Sequence, residues 1–293
     1  HMLFDSVENM LLEAKDSGHS LWECIMLMTA EESGITAEAS YAQVKERLIA
    51  MKDADRSYDP AQVSKSGLVG GAAEKMRLQY EAGRSISGEF IGKILAGALR
   101  MGECNACMHR IVAAPTAGAC GVLPAVLLPY AEKYGVDDGE LVKALYVAAG
   151  FGAVIASRAS ISGAEAGCQA EIGSASAMAA AALVFLHGGS EAQMANAVAI
   201  ALKNLMGLIC DPVAGLVEVP CVKRNAIGAM NALTAAELSL AGISSAIPVD
   251  EVIDAMRRVG DMMSSDVKET GNGGVAASKT GKAFRKSFFG GEG

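Results

Sequence analysis

The stretch Ser162–Leu183, "SGAEAGCQAEIGSASAMAAAAL", decides the fold. Its second half runs on as "AMAAAALVFL" (Ala177–Leu186), apolar at every position and without strand-like alternation, which reads as a helix buried on all sides. Its first half sets one cysteine, two carboxylates and several hydroxyls at the mouth of that helix. Alone, Cys168 would read as a small buried hydrophobe and the serines as turn and cap residues. The rest of the chain has to say whether the mouth carries chemistry.

Working outward, hydrophobic residues make up 51% of the 293 and aromatics only 5%, so the core has to be built from Ala, Leu, Ile, Val and Met, which favours close-packed helices. A second apolar run, "ALYVAAGFGAVIA" (Ala144–Ala156), reads as another buried helix. Both runs are shorter than the roughly 20 residues that cross a bilayer, so no membrane association is expected. The net charge of −8 and the lack of a basic block exclude a phosphate-backbone footprint, and nucleic acid with it. The start lacks a secretory pattern once His1-Met2 is set aside as a tag remnant, so a cytoplasmic location is expected. There, seven cysteines are not a disulfide framework and must be sorted into buried, metal-binding and reactive ones.

The expected fold is all-α: a single compact helical domain over residues 3–284, with a peripheral, acidic helical layer over 3–56, a core over 57–284 and a flexible tail over 285–293. Turn signals "DSGHS" and "ESGIT" divide the first layer, and helices are expected from about Ala73 to Met101. "DDGE" (Asp137–Glu140) and "SEAQ" (Ser190–Gln193) have the capping-box form; the second opens a helix expected to end near Gly207, and Pro248 with Asp250 opens another. "SKSGLVGG" (Ser64–Gly71) and "APTAGACGVLPA" (Ala114–Ala125) break helical periodicity and read as loops inside one domain, the second a functional one.

Cys168, Cys210 and Cys221 lie beside glycine, proline or a carboxylate, where the chain can present a thiolate rather than pack a thiol. Their spacing matches neither ferredoxin runs nor paired zinc knuckles, so spacing alone does not make a metal site. "CNAC" (Cys104–Cys107) has no second CxxC and no thioredoxin-like context and reads as plain packing; Cys24 reads as core, and Cys120 as the one other cysteine near a site. His19, His109 and His187 read as turn, flank and helix-end residues, so acid/base work falls to lysine, carboxylate, a metal-bound group or a second chain.

Three segments together, "APTAGACGVLPA", "ASISGAEAGCQAEIGSASAMAAAAL" (from Ala159) and "LKNLMGLICDPVAGLVEVPCVKRNA" (from Leu202), resemble the signature blocks of the iron–sulfur L-serine dehydratases, in particular the α chain of the two-chain bacterial form. The resemblance runs from the first helix through "SKSGLVGG" to "KETGNGGVA". It implies a 4Fe–4S cluster on Cys168, Cys210 and Cys221, with one iron left open as a Lewis acid for the serine hydroxyl, and no pyridoxal phosphate. It implies conversion of L-serine to pyruvate and ammonia, and a separate β chain in a hetero-oligomer.

Around that implied site, Thr116, Ser160 and Ser162 sit at loop–helix junctions suited to the substrate carboxylate, and Ser66 and Gly67 of the glycine-rich loop join the substrate-binding set. Glu165 is assigned to the ammonium; Asn204, Arg224 and Asn225 flank the ligands and orient substrate or thiolates. Lys203 stands where single-chain relatives carry a histidine; a β-chain histidine is expected to complete the pocket or serve as the acid/base group, with Lys203 as the fallback from within this chain. The ending "FFGGEG" lacks the terminal cysteine that some single-chain relatives carry. Other readings are a related cluster lyase, such as a cysteine desulfidase, and an iron–sulfur redox protein, which would call for four ligands or an exposed redox pair.

Overall fold

A computed structural model describes residues 4–290. Its elements are α1 (Val7–Ser17), α2 (Leu21–Glu32), α3 (Ala37–Arg56), α4 (Ala72–Glu81), α5 (Gly88–Ala106), α6 (Val122–Tyr134), α7 (Asp138–Arg158), the single-turn α8 (Gly163–Ala166), α9 (Ser174–Leu186), α10 (Glu191–Asn204), α11 (Cys221–Leu240), α12 (Val249–Met262) and α13 (Lys279–Phe289). No strand occurs among the described residues; one isolated bridge pairs Cys210 with Lys268. The all-α expectation holds.

Helix α9 is the axis. Every residue from Ser174 to Val184 is buried, and α7, α10, α11 and α6 pack around it. Alanine makes this possible, because small side chains let helix backbones approach and good helix formers keep the rod straight. Glycine extends the same device in α7: a Cβ on Gly150 would lie 2.4 Å from Ile25 Cδ1 of α2, so a larger residue there would push the Ile25 side chain aside. The N-terminal helices share this core, for Phe4, Met10, Ile25 and Leu48 belong to the same buried cluster as α7 and α9.

Helix ends follow the sequence signals with instructive exceptions. Ser190 and Gln193 form the full reciprocal capping box of α10. Asp137 caps α7 by accepting from Glu140 N at 2.9 Å, but the Glu140 carboxylate turns to Lys143 instead of reaching back. Helix α10 stops at Asn204, earlier than the glycine suggested. Helix α7 spans 21 residues and the run Gln169–Leu186 spans 18, longer than the apolar segments themselves; both are mostly buried against the other helices. The segment read wholly as a loop after Ala114 is irregular only to Gly121, since buried Pro124 is accommodated in the first turn of α6, where its missing N–H costs no helical bond. At the other end, α13 carries regular structure to Phe289, past the expected domain limit at 284, because Ser278 caps it and Gly281 seats its first turn against Val275 and Ala276. The remaining tail residues 291–293, like residues 1–3, lie outside the described ones.

Candidate functional site

Three segments bring the flanked cysteines together, and each is held by its own clamp. Cys168 closes the turn after α8 and precedes a single π-helical turn, Gln169–Gly173, that feeds α9. Such turns commonly mark functional positions in helices. The buried Gln169 side chain fixes this junction: its Nε2 donates to Met256 O at 3.0 Å, and its Oε1 accepts from Gly207 N at 2.9 Å.

Cys210 lies between α10 and α11. Its N–H donates to Val267 O at 2.8 Å, and its carbonyl accepts from Glu269 N at 2.8 Å. The next residue, buried Asp211, accepts from Val275 N at 2.7 Å through Oδ2, while its Oδ1 faces Arg224 Nη2 at 2.9 Å without an in-line N–H. The 265–277 loop therefore pins this segment. Cys221 is the first residue of α11, and Asn225 one turn later is its clamp. Asn225 is 1% exposed; its Oδ1 accepts from Gly121 N at 2.9 Å, and its Nδ2 donates to Gly118 O at 2.8 Å and Cys221 O at 3.0 Å.

The three thiols feel one another electrostatically. Burial pushes all of them up: Cys168 to about 11, opposed by the neighbouring Arg224 guanidinium, and Cys221 to about 12, reinforced by the charges of Cys168 and Glu171. Cys210 is pushed up further, by burial first and then by Cys168 and Glu171. Desolvation disfavours the thiolate, so without a cation the site holds three neutral thiols.

Glu171, on the π turn, is the carboxylate that acts on all three thiols. Its Oε1 accepts from Thr116 Oγ1 at 2.8 Å, and burial raises its pKa against that hydrogen bond. A Cβ built on Gly163 would lie 2.5 Å from Glu171 Oε2 and 2.9 Å from Cys210 Sγ, so a bare glycine is what lets this backbone pack against both carboxylate and thiol. No group of three His, Cys, Asp or Glu side chains among the described residues is gathered tightly enough for one metal ion. Three thiols close enough to act on one another's charge are the donor chemistry that an iron–sulfur cluster takes. The donor set fits such a group.

Of the other residues singled out in the sequence, Thr116, Arg224 and Asn225 are brought to the cysteines, each through the contact just described. Ser160 and Ser162 form a turn at the start of α8, Ser160 Oγ accepting from Ser162 N at 3.0 Å and donating to Glu165 Oε2 at 2.7 Å; Glu165 itself is exposed. Ser66 bonds Glu218, whose Oε2 also accepts from Ser64 Oγ at 2.8 Å, and Gly67, with φ of 80°, closes the turn by donating its N–H to Ser64 O at 2.9 Å. This ties the glycine-rich loop to the residues just before Cys221.

Lys203 and Asn204 are not brought to the thiols by any contact. Lys203 Nζ donates to Ser245 O, and Asn204 Nδ2 donates to Asn231 Oδ1 at 2.8 Å, because the last turn of α10 aims them at the 245 loop and at α11. Cys120 packs with Ala54 and Met101 rather than lining the site. Cys104 donates to Ala54 O at 3.6 Å, as a packed thiol does. His109 and His187 pair with Gln62 and Tyr130. Sequence reading missed Glu171, Asp211, Ser64 and Glu218; only Glu171 left a signal, three residues after Cys168 at the helix mouth.

A family model described as serine dehydratase alpha chain matches residues 16–276. The chain is 45% identical over 289 residues to the "Probable L-serine dehydratase, alpha chain" of Bacillus subtilis (strain 168), covering 99% of this chain and 96% of that one. It is 41% identical over 278 residues to the "L-serine dehydratase, alpha chain" of Peptoniphilus asaccharolyticus, covering 93% and 94%. It is also 46% identical over 181 residues to the "L-serine dehydratase TdcG" of Escherichia coli (strain K12), covering 61% of this chain and 40% of that longer one.

Proposed function

The chain belongs to the serine dehydratase α-chain family, and from that premise we propose that it is the cluster-holding half of a cytoplasmic L-serine dehydratase that forms pyruvate and ammonia without pyridoxal phosphate. The observation that carries the reading is the convergence of Cys168, Cys210 and Cys221, with Glu171, from three separately clamped segments. When bound by these thiolates, a 4Fe–4S cluster supplies a Lewis-acidic iron for the substrate hydroxyl, whose departure as hydroxide is otherwise costly.

The chain's own residues account for the rest of the site. Loading requires the three thiols to give up their protons, and Arg224, between Cys168 and Asp211, offsets part of the negative charge that this creates. Asn225 fixes the carbonyl of Cys221 and the loop 118–121 to each other. Thr116 orients Glu171 from that same loop, and Ser160 with Ser162 offers hydroxyls and a helix start to a carboxylate. Glu218 holds the Ser66–Gly67 turn near the third ligand.

Lys203, engaged with Ser245 O, is a poor candidate for the Cα base, which favours a histidine from a companion β chain. Val63 and Leu68, 57% and 37% exposed, flank the turn tied to Glu218 and present apolar surface where that chain would complete the site. The test is anaerobic reconstitution with iron and sulfide, followed by assay for pyruvate from L-serine with and without the companion chain. Iron binding with pyruvate formation that depends on the second chain is the expected result; a reconstituted chain pair that leaves L-serine untouched overturns the proposal.

A further inference from the structure

Residues 211–220 join the second cysteine to the third, and the middle of that loop is strained. Val213–Gly215 forms one tight turn, with Val213 N donating to Val219 O at 2.8 Å and Leu216 N donating to Val213 O at 3.1 Å. Ala214 at its centre has φ of 57° and ψ of 16°, in the left-handed region. A residue with a Cβ stores strain there, and alanine has no side-chain oxygen with which to offset it. Such a conformation persists only where its surroundings over-determine it.

The C-terminal helix supplies those surroundings. None of the α13 residues belongs to the cluster built around α9, and the main contacts of the helix are with the Val213–Gly215 and Gly274–Ala277 turns. Gly281 is buried and Phe284 and Phe288 are half-buried, a single stripe at helical spacing, while Lys279, Lys282, Arg285 and Lys286 stand exposed. The two rings stack with centroids 5.7 Å apart. Beneath the helix the turns interlock: a Cβ on Gly274 would fall 2.2 Å from Asp211 Oδ2, and one on Gly271 would touch Gly215 N and Pro212 O at 3.7 Å and Arg285 Nη1 at 3.8 Å. The packing of α13 is therefore spent on the loop between two cysteines and on the turn that clasps Asp211.

Building on the cluster reading, we propose that α13 is a latch on this loop. Its Gly281–Phe284–Phe288 stripe holds the Val213–Gly215 turn with Ala214 left-handed, which keeps Cys210 and Cys221 seated and slows the loss of iron from the site. Phe284 and Phe288 are positioning residues; they act through the turn.

The test uses the cluster-loaded enzyme with its companion chain, kept anaerobic, and follows iron release to the ferrous chelator bathophenanthroline disulfonate. Replacing both phenylalanines (Phe284→Ala with Phe288→Ala) should speed release about tenfold, equivalent to about 1.4 kcal/mol, the scale of strain that a left-handed alanine stores. Adding Ala214→Gly should bring the rate back to within about threefold of wild type, because glycine holds the turn without help. Urea unfolding of the metal-free double variant should keep its midpoint, since α13 lies outside the core around α9. Unchanged iron release overturns the latch. Faster release that Ala214→Gly does not rescue overturns its route through the turn, and an equal loss of global stability makes α13 a general stabiliser instead.

Should the double variant take up no iron, Gly281→Ala carries the same test, with the same rise and the same rescue expected. Its methyl would stand 2.6 Å from Ala276 O and 2.7 Å from Val275 O, which lifts the first turn of α13 from its seat. A wild-type chain that loads no iron fails at the cluster reading itself, whereas one that loads iron isolates the question to α13.

Discussion

Replacing Asn225 by alanine removes one side chain that joins three backbone groups. Gly121 N–H, at the entry to α6, has Asn225 Oδ1 as its acceptor at 2.9 Å, and the donors to Gly118 O and Cys221 O are lost with it. The residue is 1% exposed, so water does not take over these roles in place. Stranding a buried N–H costs about 1–3 kcal/mol, and each lost neutral hydrogen bond about 1 kcal/mol, with Cys221 O retaining its helical partner; the expected destabilisation is about 3 kcal/mol. Asn225→Asp keeps the acceptor but turns carboxylate oxygens toward two carbonyls. Its folded-state pKa is therefore raised, so its stability relative to wild type is present at low pH and falls as pH rises through that pKa. The assay is equilibrium urea unfolding of the metal-free chain, followed by far-ultraviolet circular dichroism and by the fluorescence of Trp22, the sole tryptophan, with Asn204→Ala as the control. Asn204 bonds only at the surface, so its loss should cost less than about 0.5 kcal/mol. A cost below about 1 kcal/mol for Asn225→Ala would refute the view that this amide holds the third cysteine segment.

Serine replacements at Cys168, Cys210 or Cys221 should each sharply reduce iron bound per chain after reconstitution, whereas replacements at Cys104 and Cys107 should not; full loading of Cys210→Ser removes the ligand assignment. In the metal-free chain, Cys168 and Cys221 keep their protons to about 11 and about 12, while unfolded thiols lose them from an ordinary value of 9.0. The folded state then holds more protons across that window, so stability is intact below pH 9 and declines between pH 9 and 12. The triple serine variant should flatten this decline, and an unchanged alkaline limb in urea titrations counts against the buried thiols as its source. Aerobic preparations should lose serine turnover and regain it on treatment with iron and sulfide, since an iron open to a hydroxyl is open to oxidants; activity that persists in air with chelator present contradicts a catalytic cluster.

The helices were legible because periodicity and capping are local. Ser190 and Gln193 announce α10 within one turn, and the alanine run could only be a helix enclosed by other helices. The glycine, proline and carboxylate flanking Cys168, Cys210 and Cys221 are a local signal too, since they mark chain that leaves a helix. What the sequence could not reveal is long-range or rotational. Asn225 meets Gly118, and Ser64 meets Glu218, across separations that no motif encodes. Lys203 and Asn204 are near Cys210 in sequence, yet the rotation of α10 turns them elsewhere.

The separate clamps also bear on when the site forms. In small zinc domains the metal supplies the folding free energy, so the metal-free chain is disordered. Here Gln169, the bridge at Val267–Glu269 and Asn225 hold the three segments through protein groups, and the core around α9 is closed by side chains of the surrounding helices. Burial keeps the thiols neutral, which spares the empty site the repulsion of three adjacent thiolates. The metal-free chain is therefore expected to be folded, with the helical circular dichroism of the loaded form and protection of the 205–221 segment from limited proteolysis. Loading should then release protons and gain in affinity as pH rises toward the thiol pKa values, without a large change in helicity. A metal-free chain that is cleaved rapidly within 205–221, or that gains most of its helicity on loading, would mean that the cluster builds the site rather than enters it.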